Sequence, residues 1–364
     1  MKSSVLGRSV PRKEGRDKVS GFTKYLDDLS LPHFLHGATV RSTIPRGRIK
    51  NIIFDPEIPW DEFTIVRPDD IPGKNCVALI QEDQPVLADG FVNHVEEAIL
   101  LLAHPDTYLL QKAKKAVTIE YEPSRAVLNL DESLKGTEII WGKDNLLKSY
   151  LLEKGDVGSI WAEADFVIEG SYETGAQEQL YIEPQGMMAL VTPQEGVTVW
   201  GSMQCPFYVH KALKSVFLVS DEKIRVIQTE TGVGFGGKED YPSMLAIHAG
   251  LLSLKSGKPV KIVYSRSEDM AATTKRHPSK TRIKTGVSKD GKILGAEVEF
   301  LIDGGAYATV SPVVLSRGTL HATGPYLIDH VRINAKALAT NHPPHGAFRG
   351  FGAPQSIFAL DINE

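Results

Sequence analysis

A glycine-rich segment at residues 232–239, Gly-Val-Gly-Phe-Gly-Gly-Lys-Glu, constrains the fold of this chain more than any other feature. The strand-like stretch KIRVIQTE precedes it and the helix-like stretch YPSMLAIHAGLLSLKSG follows it. Because glycine has no Cβ, such a turn presents backbone N–H groups without side-chain obstruction. N–H groups at the start of a helix bind anions and oxo ligands. The segment therefore predicts either a tight strand-to-helix connection or an anion-binding turn.

Two nucleotide-binding motifs also match this segment in part. Gly232, Gly234 and Gly237 satisfy the dinucleotide fingerprint, but the alternating βαβ units expected around it are missing from the strand-rich first half. The segment also approximates a P-loop, except that Glu239 stands where Ser or Thr would coordinate magnesium. A carboxylate beside phosphates would be repelled. A nucleotide site at 232–238 stays open as an alternative.

Composition limits the class of protein. The chain has 364 residues, of which 42% are hydrophobic and 24% charged, as in soluble globular proteins of two or three domains. The net charge is −4 and no long basic tract occurs, which argues against a nucleic-acid partner. The two cysteines, Cys76 and Cys205, are too few for a disulfide framework or an iron–sulfur site. No apolar run approaches the ~20 residues of a membrane span and no signal peptide is apparent, so we expect a cytoplasmic protein without membrane contact.

The pattern of apolar residues predicts an α+β fold in two parts. The first domain covers residues 1–130 and begins with an extended arm over 1–20. A charged linker over 131–155 connects it to a second domain over 156–364. Short strands separated by Gly and Pro dominate both parts.

Particular segments carry specific predictions. NCVALIQ at 75–81 reads as a strand, residues 92–102 fit either a strand or a helix, and residues 281–305 predict a hairpin that turns at Lys289-Asp290-Gly291. A helix begins after Pro354 and runs into the end of the chain. We therefore expect that the chain is cut there or that a partner chain continues the fold.

Four blocks of the chain resemble consecutive motifs of one enzyme family, in the same order and with the same spacing. Residues 7–49 resemble the entry to the a/b hammerhead domain of the xanthine dehydrogenase and aldehyde oxidase family. Residues 175–184 (GAQEQLYIEP), 232–239 and 346–355 (GAFRGFGAPQ) resemble motifs of that family's molybdopterin-binding domain. The resemblance implies a hammerhead domain followed by the first part of a molybdopterin-binding domain.

The family hydroxylates carbon beside nitrogen or oxygen in heterocycles and aldehydes, with water as the oxygen source. The resemblance implies a molybdenum cofactor, either molybdopterin or its cytosine dinucleotide, whose dithiolene holds the metal without a protein ligand. The [2Fe-2S] clusters and FAD are expected only on partner chains or domains. The cofactor carries the difficult chemistry, and the protein orients it and stabilises developing charge.

Residues that match the family's cofactor motifs are expected to surround molybdenum. Gln177 matches a glutamine whose amide donates to the oxo ligand without bringing charge, and Arg349 matches the arginine beside the metal, so both are candidate catalytic residues. The remaining candidate cofactor-binding residues lie in the two glycine-containing turns: Gly234, Phe235, Gly236, Gly237 and Gly350. Only glycine allows the backbone to approach so closely.

Three further residues match the family's substrate contacts. Glu239 matches the acid that contacts the heterocycle in purine-oxidising members, and Arg317 matches the arginine on the opposite side. A carboxylate accepts from a ring N–H, and a guanidinium stabilises negative charge building on the ring. Phe351 matches an aromatic residue that holds the planar substrate. These matches favour a purine-like heterocycle, with an aldehyde or aromatic substrate as the alternative.

The sequence departs from the family in ways that concern activity. Val233 occupies a position where glycine is frequent, and residues 91–108 drift from the hammerhead pattern. The late Gly-Val-Gly-Glu motif, whose glutamate is the family's catalytic base, does not occur. We therefore expect an isolated chain to be inactive and to need a chain with the C-terminal half of the cofactor domain and an iron–sulfur subunit. An FAD subunit and a non-catalytic remnant are left open.

Overall fold

The structure, a computed structural model, describes residues 6–77 and 79–363. It mixes helices with three sheets, which confirms the predicted α+β class. The helices are α1 (Gly15–Ser20), α2 (Thr107–Lys115), α3 (Leu130–Lys135), α4 (Pro206–Phe217), α5 (Pro242–Ser256), α6 (Arg266–Ala272), α7 (Ser311–His321) and α8 (Ala353–Asn363).

The strands fall in two groups along the chain. The first group is β1 (Leu35–Arg41), β2 (Gly47–Phe54), β3 (Thr64–Val66), β4 (Phe91–Val92), β5 (Ala98–His104), β6 (Val117–Pro123) and β7 (Leu146–Lys154). The second group is β8 (Phe166–Thr174), β9 (Gly186–Thr192), β10 (Gly196–Gly201), β11 (Ile224–Gln228), β12 (Val260–Val263), β13 (Ser279–Val287), β14 (Ile293–Gly305) and β15 (His330–Ala339).

The largest sheet takes strands from both halves of the chain, in the order β11-β10-β9-β12-β1-β5-β3. The halves join where β1 runs parallel to β12, with Leu35 opposite Val260. All seven residues of β5 are buried, as expected for an apolar strand covered on both faces. Helices α4 and α5 pack against this sheet, and nearly all of α5 is buried. The sheet therefore ties the start of the chain firmly to the segment that follows the glycine-rich turn.

A second sheet, in the order β7-β15-β14-β13-β8, forms the core on which α7 and α8 pack. Strand β15 alternates buried and less buried residues along most of its length, the period of two expected when one face of a strand packs on the core. A small third sheet, β4-β2-β6, and α2 complete the first half of the chain. Because α7 and α8 both pack on this core, α7 and the segment 346–352 that precedes α8 lie at one end of the second sheet.

The structure corrects three local predictions. The segment 6–20, expected to be extended, contains α1, while residues 1–5 lie outside the described residues. Residues 75–77 and 79–81, predicted as a strand, form bends and irregular structure. The linker predicted over 131–155 contains most of α3 and all of β7, which forms eight residue pairs with β15, so this segment is part of the folded core.

Other predictions agree with the structure. Residues 92–102, left between strand and helix, supply the end of β4 and most of β5. Strands β13 and β14 form the predicted hairpin, in which Gly291 N–H donates to Ser288 O. The helix expected after Pro354 is α8.

The place of β7 in the core can be tested with two leucines of the same strand. Leu147 is 3% exposed and packs in the second core, whereas Leu151 is 58% exposed. We expect Leu147→Ala to lower the free energy of unfolding by about 2–5 kcal/mol, because it leaves a cavity. Leu151→Ala should change it by less than about 0.5 kcal/mol. Urea unfolding measures both, and equal small losses would mean that β7 is not core.

Candidate functional site

A cleft of about 510 Å³ opens where the glycine-rich turn meets α7 and the turn before α8. Seven of the residues predicted for the site line it. The seven are Phe235, Gly236, Glu239, Arg317, Arg349, Gly350 and Phe351. The cleft is also lined by Gln204, Ala347 and Phe348. Segments separated by more than a hundred residues thus converge on one opening.

The two turns touch through their backbones. The N–H of Arg349 donates to the carbonyl of Phe235 at 2.8 Å. Gly236 has φ +101°, and a Cβ there would lie 2.8 Å from the carbonyl oxygen of Ala347. That conformation and that spacing exclude any other side chain without displacement of the backbone. Glycine at position 236 is therefore required for the two turns to approach each other.

Gln204, which the sequence analysis did not identify, organises the glycine-rich turn from within. Its side-chain oxygen accepts from the N–H groups of Gly236, at 2.9 Å, and Lys238, at 3.3 Å. The N–H of Gly236 is thus already used inside the turn. Among the described residues, the N–H groups of Val233, Gly234 and Phe235 have no acceptor, and of these three residues Phe235 lines the cleft. The only clue in the sequence was a polar residue three positions beyond β10.

Lys238 is buried beneath the turn instead of facing the cleft. Its Nζ lies 2.8 Å from Glu183 Oε2 and donates to Ser202 Oγ at 2.8 Å. Burial lowers the pKa of Lys238, and the Glu183 carboxylate partly offsets this. The same Glu183 oxygen accepts from the N–H of Gly232 at 2.8 Å. Because this lysine is bound to the protein, it cannot reach a phosphate as a P-loop lysine does.

Gln177 and Arg349 are joined by Arg276, which the sequence analysis also missed. Arg276 Nε donates to Gln177 Oε1 at 3.0 Å, and its Nη2 donates to the carbonyl of Arg349 at 2.9 Å. Its guanidinium lies 4.1 Å from the centroid of the Phe348 ring. Gln177 does not itself line the cleft, and among the described residues its amide NH₂ has no acceptor, so it remains a neutral donor linked to the Arg349 turn through Arg276.

Glu239 and Arg317 line the cleft without pairing with each other. Among the described residues no ion pair within 4.0 Å joins them, so they are not a structural salt bridge. Partial burial raises the pKa of Glu239 to about 7, with a further contribution from the Asp240 carboxylate. Burial likewise raises the pKa of Asp240 to about 6. Near neutral pH, Glu239 is therefore able to accept or to donate a hydrogen bond.

The remaining predicted residues have structural positions. Phe351, at φ +52°, lines the cleft while packing on the core of the second sheet. Gly234 and Gly237 lie just behind the cleft wall, where a Cβ would lie 2.4 Å from Gln204 Oε1 and from the Tyr181 ring respectively. Val233 is exposed at φ +74°, a strained conformation for a β-branched residue.

Comparison with known proteins places this chain in a family. The model of the aldehyde oxidase and xanthine dehydrogenase a/b hammerhead domain matches residues 20–125, and that of the molybdopterin cofactor-binding domain matches residues 142–362. The chain belongs to the xanthine dehydrogenase and aldehyde oxidase family of molybdenum hydroxylases. Both predicted domain types, and the predicted molybdenum cofactor, are thereby confirmed.

Individual relatives agree with the family assignment. The nicotinate dehydrogenase large molybdopterin subunit of Eubacterium barkeri is 36% identical over 97% of this chain and 83% of its own length. A probable xanthine dehydrogenase subunit of Bacillus subtilis is 34% identical, but the chain spans only 47% of it. The aldehyde oxidoreductase of Desulfovibrio gigas superimposes with a TM-score of 0.89 at 25% identity, over 97% of this chain and 41% of that one.

The residues of the cleft fit the family's cofactor. The acceptor-free N–H group of Phe235, which lines the cleft, is a donor for an anionic, oxo-bearing group. Arg349, exposed at the rim, adds a positive charge. None of the helices in the described part of the chain combines the length and apolar character needed to cross a bilayer. The cytoplasmic location stays a prediction.

The raised pKa of Glu239 predicts a pH-dependent stability. A carboxyl whose pKa is about 7 in the fold and near 4.5 when unfolded binds its proton more tightly in the fold. Its contribution is therefore fully present below about pH 4.5 and is lost as the pH rises through about 7.

We expect Glu239→Gln to raise the free energy of unfolding, relative to the unsubstituted chain, more at about pH 8 than at about pH 5. Denaturant unfolding at the two pH values measures this. Glu195→Gln, at an exposed turn, is the control and should show no such difference. The same effect of Glu239→Gln at both pH values would contradict the burial of this carboxyl.

Proposed function

We propose that this chain is the cofactor-binding component of a molybdenum hydroxylase that oxidises a purine-like heterocycle, with water as the source of oxygen. The observation that supports this most strongly is the single cleft that collects the glycine turns, Arg349, Glu239 and Arg317. When bound, the molybdenum cofactor supplies the oxygen transfer and takes up two electrons.

The chain's own groups would bind and orient the cofactor. The N–H group of Phe235 and the guanidinium of Arg349 would hold its anionic parts. The amide of Gln177 would donate to an oxo group without adding charge, and Arg276 fixes the position of its oxygen. Arg276 would also hold the backbone that carries Arg349. Donors fixed in this way cost no reorganisation when charge develops.

Glu239 and Arg317 would hold the substrate from opposite sides. With its pKa raised to about 7, Glu239 can accept from a ring N–H or donate to a ring nitrogen. Arg317 is exposed and, among the described residues, makes no side-chain ion pair, so its charge is available to stabilise negative charge on the heterocycle. Phe351 would contact the plane or edge of the ring.

We propose that the enzyme also draws on protein segments or subunits beyond these 364 residues. The 364 residues contain no Gly-Val-Gly-Glu motif, and the two cysteines cannot ligate an iron–sulfur cluster. The similar protein from Eubacterium barkeri is named a large subunit, which supports a heteromeric assembly. We propose partners that carry the C-terminal half of the cofactor domain, with the catalytic glutamate, and the iron–sulfur relay. Without that base, turnover would fall roughly 10²–10⁴-fold.

A second candidate substrate is a pyridine carboxylate such as nicotinate. Two guanidinium groups, those of Arg317 and Arg349, line the same cleft, and a guanidinium binds a carboxylate with two parallel hydrogen bonds. The relative that is 36% identical is named a nicotinate dehydrogenase. In this case Arg317 would bind the substrate's carboxylate.

Cofactor binding can be tested in the chain coproduced with its partner subunits. We expect Arg349→Ala to lower the molybdenum and pterin content at least about tenfold, because it removes a charged contact to the cofactor. Arg332→Ala, at an exposed position of β15 outside the cleft, should leave the content unchanged. Elemental analysis and pterin fluorescence measure both. Full molybdenum content in the Arg349 variant, or none in the unsubstituted enzyme, would contradict the proposal.

Substrate choice can be tested by kinetics of the same assembly with xanthine and with nicotinate. We expect Glu239→Gln to lower kcat/KM for xanthine roughly a hundredfold, the cost of one charged contact in the transition state. The same variant should affect nicotinate less, whereas Arg317→Met should affect nicotinate more.

The control for these assays is Glu195→Gln, which changes a carboxylate far from the cleft and should leave both substrates unaffected. Activity with aldehydes only, or an equal effect of Glu239→Gln on every substrate, would contradict a specific role for this residue.

A further inference from the structure

Three side chains with metal-binding chemistry meet at the end of the second sheet, outside the cleft. Asp303 lies near the end of β14, and His342 and His345 lie in the His-Pro-Pro-His segment after β15. One ligand atom from each lies within 4.8 Å of the others. Among the described residues, these three form the one group of His, Cys, Asp or Glu side chains whose ligand atoms lie this close together.

The geometry centres on one oxygen of Asp303. Its Oδ2 lies 2.9 Å from His342 Nδ1 and 3.9 Å from His345 Nε2. Its other oxygen, Oδ1, accepts from the N–H of Gly305 at 2.8 Å and from Thr340 Oγ1 at 2.7 Å. Outer hydrogen bonds of this kind hold a carboxylate in place so that its free oxygen can bind a metal.

His345 gives a separate indication of a ligand. It is 5% exposed, yet neither ring nitrogen has a hydrogen-bond partner among the described residues. Buried polar groups are nearly always satisfied, and an orphaned one calls for an explanation, such as an ion or water. Imidazole nitrogen is a common metal ligand, so the unpaired nitrogens of His345 can bind an ion. The ring centroid of His277 lies 5.7 Å from that of His345, but His277 Nε2 is hydrogen-bonded to Ser311 Oγ.

We propose that Asp303, His342 and His345 bind one divalent transition-metal ion, with Zn²⁺ the best match. Two imidazoles and a carboxylate form a ligand set that zinc accepts, with water in the fourth position. Zinc–ligand distances of about 2.0–2.2 Å imply ligand atoms about 3.3 Å apart, so no pair in the cluster needs to shorten by more than about 1.5 Å. The ion would give His345 the partner that it lacks.

Such an ion would fix the segment that leads to Arg349. The N–H of His345 donates to Gly304 O at 3.1 Å, and its carbonyl accepts from Thr309 Oγ1 at 2.7 Å. A bond at Nε2 would add a third anchor only four residues before Arg349. The role is structural and is independent of the molybdenum chemistry.

The competing account is a simple ion pair. A protonated His342 would satisfy the carboxylate alone by donating from Nδ1 to Asp303 Oδ2, 2.9 Å away. That arrangement leaves both nitrogens of His345 unpaired. Metal titration separates the two accounts.

The experiment uses the full chain, produced without a polyhistidine tag, freed of metal with EDTA and titrated with Co²⁺. We expect visible d–d absorption that saturates at one ion per chain and disappears when Zn²⁺ is added. His342→Gln, at a residue whose side chain is 39% exposed, should weaken the Co²⁺ affinity more than about a hundredfold. His33→Asn, at an exposed histidine elsewhere, is the control and should bind as the unsubstituted chain does.

Circular dichroism confirms that each variant is folded, and Asp303→Asn provides a second ligand variant. No saturable Co²⁺ absorption in the folded chain, or undiminished binding in His342→Gln, would overturn the proposal. Because no molybdenum is involved, this result is independent of whether the proposed hydroxylase function holds.

Discussion

The close approach of two turns holds the whole site together. The carbonyl of Phe235 accepts from the N–H of Arg349, and Gly236 leaves no Cβ between the two backbones. Every other feature of the cleft depends on this contact, because it fixes the distance between Glu239 on one turn and Phe351 on the other. Helix α5, which follows the first turn, packs in the core of the first sheet, and α8, which follows the second turn, packs in the core of the second sheet. The two cores therefore hold the ends of both turns.

Polar side chains hold the backbones on both sides of the contact. Gln204 and the Lys238–Glu183 pair bind the backbone of the first turn from within, and Arg276 binds the backbone of the second. The buried Lys238 is paired with Glu183, as burial of a charge requires. Arg317, which lines the cleft, differs, because its charge has no ion-pair partner among the described residues. Its charge is thus left for a ligand.

Local features were predictable and long-range ones were not. The glycine turn, α5 and the β13–β14 hairpin follow from neighbouring residues. Strand β7 was mistaken for a linker because its partner, β15, lies more than 170 residues further along and its sequence is charged. Motif resemblance brought Gln177, Glu239 and Arg349 together, but Gln204 and Arg276 act on backbone atoms that no motif displays. The proximity of Asp303 to His342 and His345 likewise could not be predicted from the sequence, because it depends on the pairing of β14 with β15.

Amide exchange at Arg349 tests the central contact most directly. Gly236→Ala should force the turns apart at a cost of about 1–3 kcal/mol, so that the Arg349 N–H, which donates to Phe235 O, exchanges roughly tenfold to a hundredfold faster. Gly257→Ala is the matched control, because Gly257 also has a positive φ but no atom within 4 Å of its Cβ position. Faster exchange at Arg349 in the Gly236 variant alone is the predicted result. Unchanged exchange in that variant would contradict the account.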